Sequence, residues 1–107
     1  MTKPLALGIS EYLDDFAIAR QAITWKELPN PENWKVAVLD ALIDPNCQIC
    51  FNLDGVDVWR GIQRAASGRG GATNWELLQI KQNPQIWNTI QFWKRGQPVS
   101  NPFKHLN

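Results

Sequence analysis

The segment Cys47-Gln48-Ile49-Cys50-Phe51-Asn52-Leu53 decides the class of fold. Its apolar side chains fall on alternate positions, the period of a strand, so Cys47, Ile49, Phe51 and Leu53 share one face and Cys50 takes the other. Helical patterns flank it. Upstream, Asn30 caps a helix with Pro31 at its first position, and Trp34, Ala37, Val38, Ala41 and Leu42 recur at helical spacing until Asp44-Pro45-Asn46 ends it. Downstream, Asp54-Gly55 turns the chain into a helix over 56–66, with Val58, Trp59, Ile62, Ala65 and Ala66 as its apolar stripe. A strand between helices predicts an α+β domain.

Working outward, a first helix starts after Ser10 and carries Leu13, Phe16, Ala17 and Ile23, with Glu11, Asp14 and Asp15 on its polar face. The stiff connection Leu28-Pro29-Asn30-Pro31 keeps the first two helices in one unit. Toward the C-terminus, Ser67-Gly68-Arg69-Gly70-Gly71-Ala72 is a glycine-rich loop. Thr73 and Glu76 then match a capping box, in which each side chain satisfies an amide at the start of a helix running to about Gln82. Asn83-Pro84 stops that helix. Thr89-Ile90-Gln91-Phe92-Trp93 alternates, Lys94-Arg95-Gly96-Gln97 is a turn, and Pro98-Val99-Ser100 returns as an edge strand. Phe103 anchors the tail. The sum is a single domain, 1–107, predominantly helical, with three to four helices, one short strand and a C-terminal β-hairpin.

Charge is sorted along this framework. Residues 1–58 hold nine acids against four bases, and 59–107 hold seven bases against the single acid Glu76, so the net charge of +1 conceals two opposite halves. A basic half points to a polyanion, since Lys and Arg gain free energy by displacing counterions from phosphates. The acidic helical half offers a face to a protein partner. No apolar run approaches the roughly 18–20 residues that span a bilayer, and the N-terminus lacks the pattern of a signal peptide, so no membrane partner and a cytoplasmic location are expected.

Chemistry-bearing motifs are few. Cys47 and Cys50 form a lone C-x-x-C within a strand, and with His105 they fall short of the four ligands of a structural zinc site; neither metal nor cofactor is expected. His105 lies near the C-terminus, which disfavours a His-dependent hydrolase, and the capping-box position accounts for Glu76 without catalysis. The chain is thus read as a binder before an enzyme. The glycine loop around Arg69 could cradle an anion but matches neither a Walker loop nor a dinucleotide fingerprint. Trp93 points away from Ile90 and Phe92 and precedes Lys94 and Arg95, an aromatic and basic tip suited to stacking on bases.

The order helix, loop, helix, basic hairpin over 56–100 resembles the layout of winged-helix DNA-binding domains. The resemblance covers layout alone, and the inter-helix connection is longer than the usual three- or four-residue turn. It implies that the helix from Thr73 enters the major groove, presenting Asn74, Gln79 and Gln82 to base edges with Lys81 beside them. Arg60, Arg64, Arg69, Lys94 and Arg95 then meet phosphates. The leading expectation is a small non-catalytic nucleic-acid-binding domain, with DNA favoured over RNA. An adaptor using the acidic half is the second, and an effector acting on nucleic acid the third.

Overall fold

The computed structural model describes residues 3–105, and of His105 only the backbone. Its elements are β1 (Leu5–Leu7), α1 (Ser10–Ala19), α2 (Trp34–Ile43), β2 (Ile49–Asn52), α3 (Val58–Ala66), α4 (Ala72–Gln82), β3 (Ile90–Lys94) and β4 (Gln97–Val99). Short 3-10 turns occupy Trp25–Glu27, Pro31–Asn33, Pro84–Thr89 and Pro102–His105. The α+β class, the central strand and the C-terminal hairpin are as the sequence predicts. Strand β1 is additional.

The four strands form one sheet in the order β1-β2-β3-β4. The first three are parallel, with Leu5 opposite Ile49, Ile49 opposite Ile90 and Phe51 opposite Phe92; β4 runs antiparallel to β3. Parallel strands need cover on both faces, and the helices supply it unequally. Leu5, Leu7, Ile49, Phe51, Ile90 and Phe92 enter the larger core with Val38 and Leu42 of α2, Ile62 of α3, and Leu77 and Ile80 of α4. Ala6 faces the other way, against Leu13, Phe16 and Ala17 of α1, with Cys50 and Trp93 packed alongside. Double cover explains why all three residues of β1 are buried.

Local chemistry sets the ends of the elements. Helix α1 stops at Ala19 because Gln21 adopts a left-handed φ of 53° and the Ala22 amide donates back to the Ala17 carbonyl at 2.9 Å, a common helix stop. Ile23, expected on α1, therefore leaves the helix and bridges to Leu5 at the sheet edge. Asn30 does not cap α2 directly. It takes a left-handed conformation ahead of the Pro31–Asn33 turn, and α2 begins only at Trp34. In the hairpin, Arg95 and Gly96 have φ of 53° and 74°, the two positive values that a two-residue type I′ turn requires. Phe103 is buried against Phe92 and Trp87, at ring separations of 5.7 and 5.8 Å, so the tail is anchored as predicted.

The helix, loop, helix, hairpin order is present, with the hairpin built onto the sheet. Its first strand is an inner strand of the sheet. Among the described residues no helix is long and apolar enough to cross a membrane.

Gly61 controls how α3 meets α4. It is buried in the middle of α3, and a β-carbon there would stand 2.7 Å from Asn74 Oδ1 and 2.9 Å from Leu77 Cδ1. Both distances are below normal contact, so any side chain at 61 requires the Asn74 and Leu77 side chains to shift. The Gly61→Val variant is expected to lose about 1–3 kcal/mol, the cost of overpacking a close helix contact, read as a lower urea midpoint at unchanged m-value. Wild-type stability in that variant would mean that the Asn74 and Leu77 side chains make room without cost.

Candidate functional site

A crevice of about 210 Å³ opens beyond the carboxyl ends of β1 and β2, the position at which open sheets of parallel strands generally bind ligands. Asp57, Arg60 and Arg64 line it from α3, and Thr73 and Asn74 from the first turn of α4, with Gly61 between them. Helix α3 is fixed here by Asp57, whose Oδ1 accepts from the Arg60 amide at 3.2 Å. Helix α4 is held by Thr73, whose hydroxyl donates to the Gly8 carbonyl at 3.0 Å, just past β1. The hairpin tip joins through a 2.7 Å bond from the Arg95 amide to Asp54 Oδ1. Arg60 and Arg95 thus flank one loop, residues 54–57.

Several of the expected phosphate-contacting residues do stand free. Arg60, Arg64, Arg69, Lys94 and Arg95 are all exposed. Arg69 sits apart from the crevice, where its amide donates to the Arg64 carbonyl at 2.8 Å and Gly68 has φ of 76°. The glycine-rich loop is therefore the stop of α3, and Gly70 closes against the Asn74 side chain. Of its amides, those of Gly68 and Arg69 are taken up within the chain, while a side chain at Gly68 or Gly71 would meet open space.

Helix α4 presents little of its surface. From Thr73 to Lys81 every residue is half-buried or buried. Asn74 is wedged between Gly61 and Gly70, and Gln79 and Lys81 are half-buried on a helix covered by the sheet, α3 and the Trp34–Trp75 contact at 5.4 Å. Of the residues expected to face base edges, only Gln82 is exposed. Trp93 is also withdrawn. It packs edge-on to Phe16, and the Arg20 guanidinium covers its ring at 4.0 Å while donating to the Gly96 carbonyl at 3.3 Å. The alternation of 89–93 places Trp93 on the correct face, but α1 occupies that face. The outward residues belong to α3 instead: Trp59, assigned from sequence to the apolar stripe, is 45% exposed.

The two cysteines fall on opposite faces, as alternation predicts. Cys47 packs with the larger core and Cys50 with the smaller. Burial pushes both thiols up, for Cys50 against the opposing influence of Arg20. Among the described residues no group of three or more His, Cys, Asp or Glu is placed to hold a metal. A second and larger cavity, about 430 Å³, lies at the other end of the strands between α2 and residues 23–33. Its walls are mostly apolar, with Asp40 and Asp44 at α2.

Glu76 departs from its expected role. Helix α4 begins at Ala72 with Gly71 as its N-cap and no side-chain cap, so Thr73 lies inside the helix and the capping box is absent. That motif forms elsewhere, at Thr24 and Glu27, where the Thr24 amide donates to Glu27 Oε2 at 2.8 Å. Glu76 is 4% exposed on α4, one turn beyond Thr73, and burial pushes its carboxyl up to about 8. Compared with known proteins, the chain matches no family model, no curated protein and no solved structure.

The raised Glu76 value fixes a pH dependence. The folded state keeps this proton up to about pH 8, whereas an unfolded glutamate loses it near 4.5. Between those values the folded state binds more protons, so this group makes stability fall as pH rises, by at most about 1.4 kcal/mol per pH unit. Glu76→Gln keeps the shape without the charge. Urea unfolding from pH 5 to 8 should show the wild type losing on the order of 3 kcal/mol relative to the variant. Parallel pH profiles would show that Glu76 is ionised at no cost.

Proposed function

We propose that this chain is a nucleic-acid-binding domain whose contact surface is the exposed side of α3 and the adjoining hairpin tip. One observation carries the reading: Arg60 and Arg64, one helical turn apart, both line the crevice at the carboxyl ends of the strands. A crevice with two guanidiniums on its wall focuses potential on an anion, and guanidiniums match phosphate oxygens two bonds at a time. The opposite wall adds to this. The start of α4 has no side-chain cap, so the positive end of its dipole faces the same space. Asp57 also lines the crevice, with Oδ1 accepting from the Arg60 amide, and its single negative charge is outnumbered by the two guanidiniums. Arg95 and Lys94 extend the basic surface along the hairpin.

This surface differs from the docking that a winged-helix layout implies. With α4 largely covered, backbone contacts come from the exposed face of α3 and the hairpin. Sequence-independent binding follows, dominated by phosphates. A second reading, an adaptor, draws support from the cavity beside α2. Asp40 and Asp44 stand there next to exposed Val36, with Lys3 the one cation of the lining among the described residues, an arrangement able to take an apolar side chain beside a positive charge.

Fluorescence anisotropy of labelled DNA and RNA at several salt concentrations tests the first reading, with a gel recording any cleavage. Binding should weaken steeply with salt. Arg60→Ala and Arg64→Ala should each lower the slope of log K against log salt by about 0.7–0.9, the release from one lost phosphate contact. No binding at low salt would remove the nucleic-acid reading and leave the acidic groove as the surface to pursue.

A further inference from the structure

Trp59 is the one exposed tryptophan of the six in the chain. Trp25, Trp34, Trp75 and Trp87 pack against the larger core and Trp93 against the smaller. Cations also lie over three of those rings, Lys35 over Trp34 and Trp75, and Arg20 over Trp93. None lies over Trp59 among the described residues. At 45% exposure the Trp59 ring keeps a large apolar surface in contact with water, which a partner could cover. Its neighbours show what could cover it. The outward face of α3 presents Trp59, Arg60, Gln63 and Arg64, all exposed, and two of these enter the crevice.

An aromatic ring, an amide and two guanidiniums on one helix face suit a single strand. Its unpaired bases have free π-faces for the indole, its phosphates meet the guanidiniums, and the amide of Gln63 reaches a base edge. A duplex offers the same phosphates but keeps its base faces stacked on one another, so it leaves the indole uncovered. We infer that α3 binds single-stranded nucleic acid, with an unpaired base stacked on Trp59 and the flanking phosphates on Arg60 and Arg64. This rests on the nucleic-acid reading above and adds to it the strandedness of the ligand and the residue that selects it.

The test uses the full chain with labelled twelve-nucleotide oligo-dT and oligo-U and a self-complementary DNA hairpin, titrated by anisotropy at two salt concentrations. The single strands should bind about tenfold or more tighter than the duplex, and the oligo-dT and oligo-U arms separate DNA from RNA as the source of the strand. Trp59→Ala should weaken single-strand binding by about tenfold or more, the effect of one lost stacking contact, while leaving the salt slope and the duplex affinity unchanged. Trp59→Phe should recover most of the loss, which a merely structural disturbance would not predict, and far-ultraviolet circular dichroism checks that both variants fold. Duplex affinity equal to or above single-strand affinity overturns the inference, as does wild-type affinity in Trp59→Ala. In those cases salt-dependent binding through Arg60 and Arg64 would still uphold the broader reading. Absence of binding to all three oligonucleotides overturns both.

Discussion

The parallel pairing of β2 with β3 is the constraint on which the rest of the structure depends. Ile49 and Phe51 come from the acidic half of the chain, Ile90 and Phe92 from the basic half, and each pair stands side by side in the sheet. Closing a connection of about forty residues costs conformational entropy, but the cost grows only slowly with length. Once β3 lies beside β2, the connection between them must cross the sheet and return, and α3 and α4 are that crossover. Nine-residue α3 and eleven-residue α4 then share one face of a narrow sheet. They fit because Gly61 presents no side chain at the crossing. The crevice is the gap that remains above that contact.

This arrangement also decides which charges gather. Segregation along the sequence does not by itself become segregation in space, because the sheet takes strands from both halves. The basic groups that meet do so at the carboxyl ends of the strands, where the 54–57 loop ties α3 to the hairpin through Asp57 and Asp54. Two acids of the first half thus organise the bases of the second, through backbone amides and without covering the guanidiniums. Asp40 and Asp44, by contrast, stand at the amino ends of the strands beside the other cavity. Both ends of the sheet therefore carry charges of both signs, with Lys3 beside Asp40 and Asp44 at one and Asp57 beside Arg60 and Arg64 at the other.

The fold was legible where one element carries its own pattern. Strand β2, helix α3, the Arg95-Gly96 turn and the anchor at Phe103 follow from alternation, capping and turn chemistry within a few residues. Strand β1 was not, because three residues that are apolar in both directions carry no period. Candidate contacts were harder to place. Trp59 and Ile62 are three apart and read as one stripe, but the face that is buried runs through Gly61 and Ile62, and a glycine adds nothing to an apolar pattern. Trp93 was assigned to the correct face of its strand, while the identity of its cover, α1 with Arg20, is a tertiary fact that no local pattern encodes.

Glu76 shows the same limit in energetic form. The Thr-x-x-Glu spacing occurs twice, and the two instances have opposite fates. At Thr24 the chain enters its turn from an extended residue, leaving the amide free for Glu27 to accept. At Thr73 the extended residue is Gly71, two positions earlier, so the helix has already begun and the glutamate is carried round onto a buried face. A shift of two residues in a helix start therefore turns a stabilising cap into a buried acid that opposes folding at neutral pH. Gly71 and Gly70 permit that earlier start, since the loop must reverse within a few residues of the α3 stop at Gly68 while Gly70 closes on Asn74. The burial of Glu76 thus traces to the short glycine-rich reversal between the two helices, as their close approach traces to Gly61.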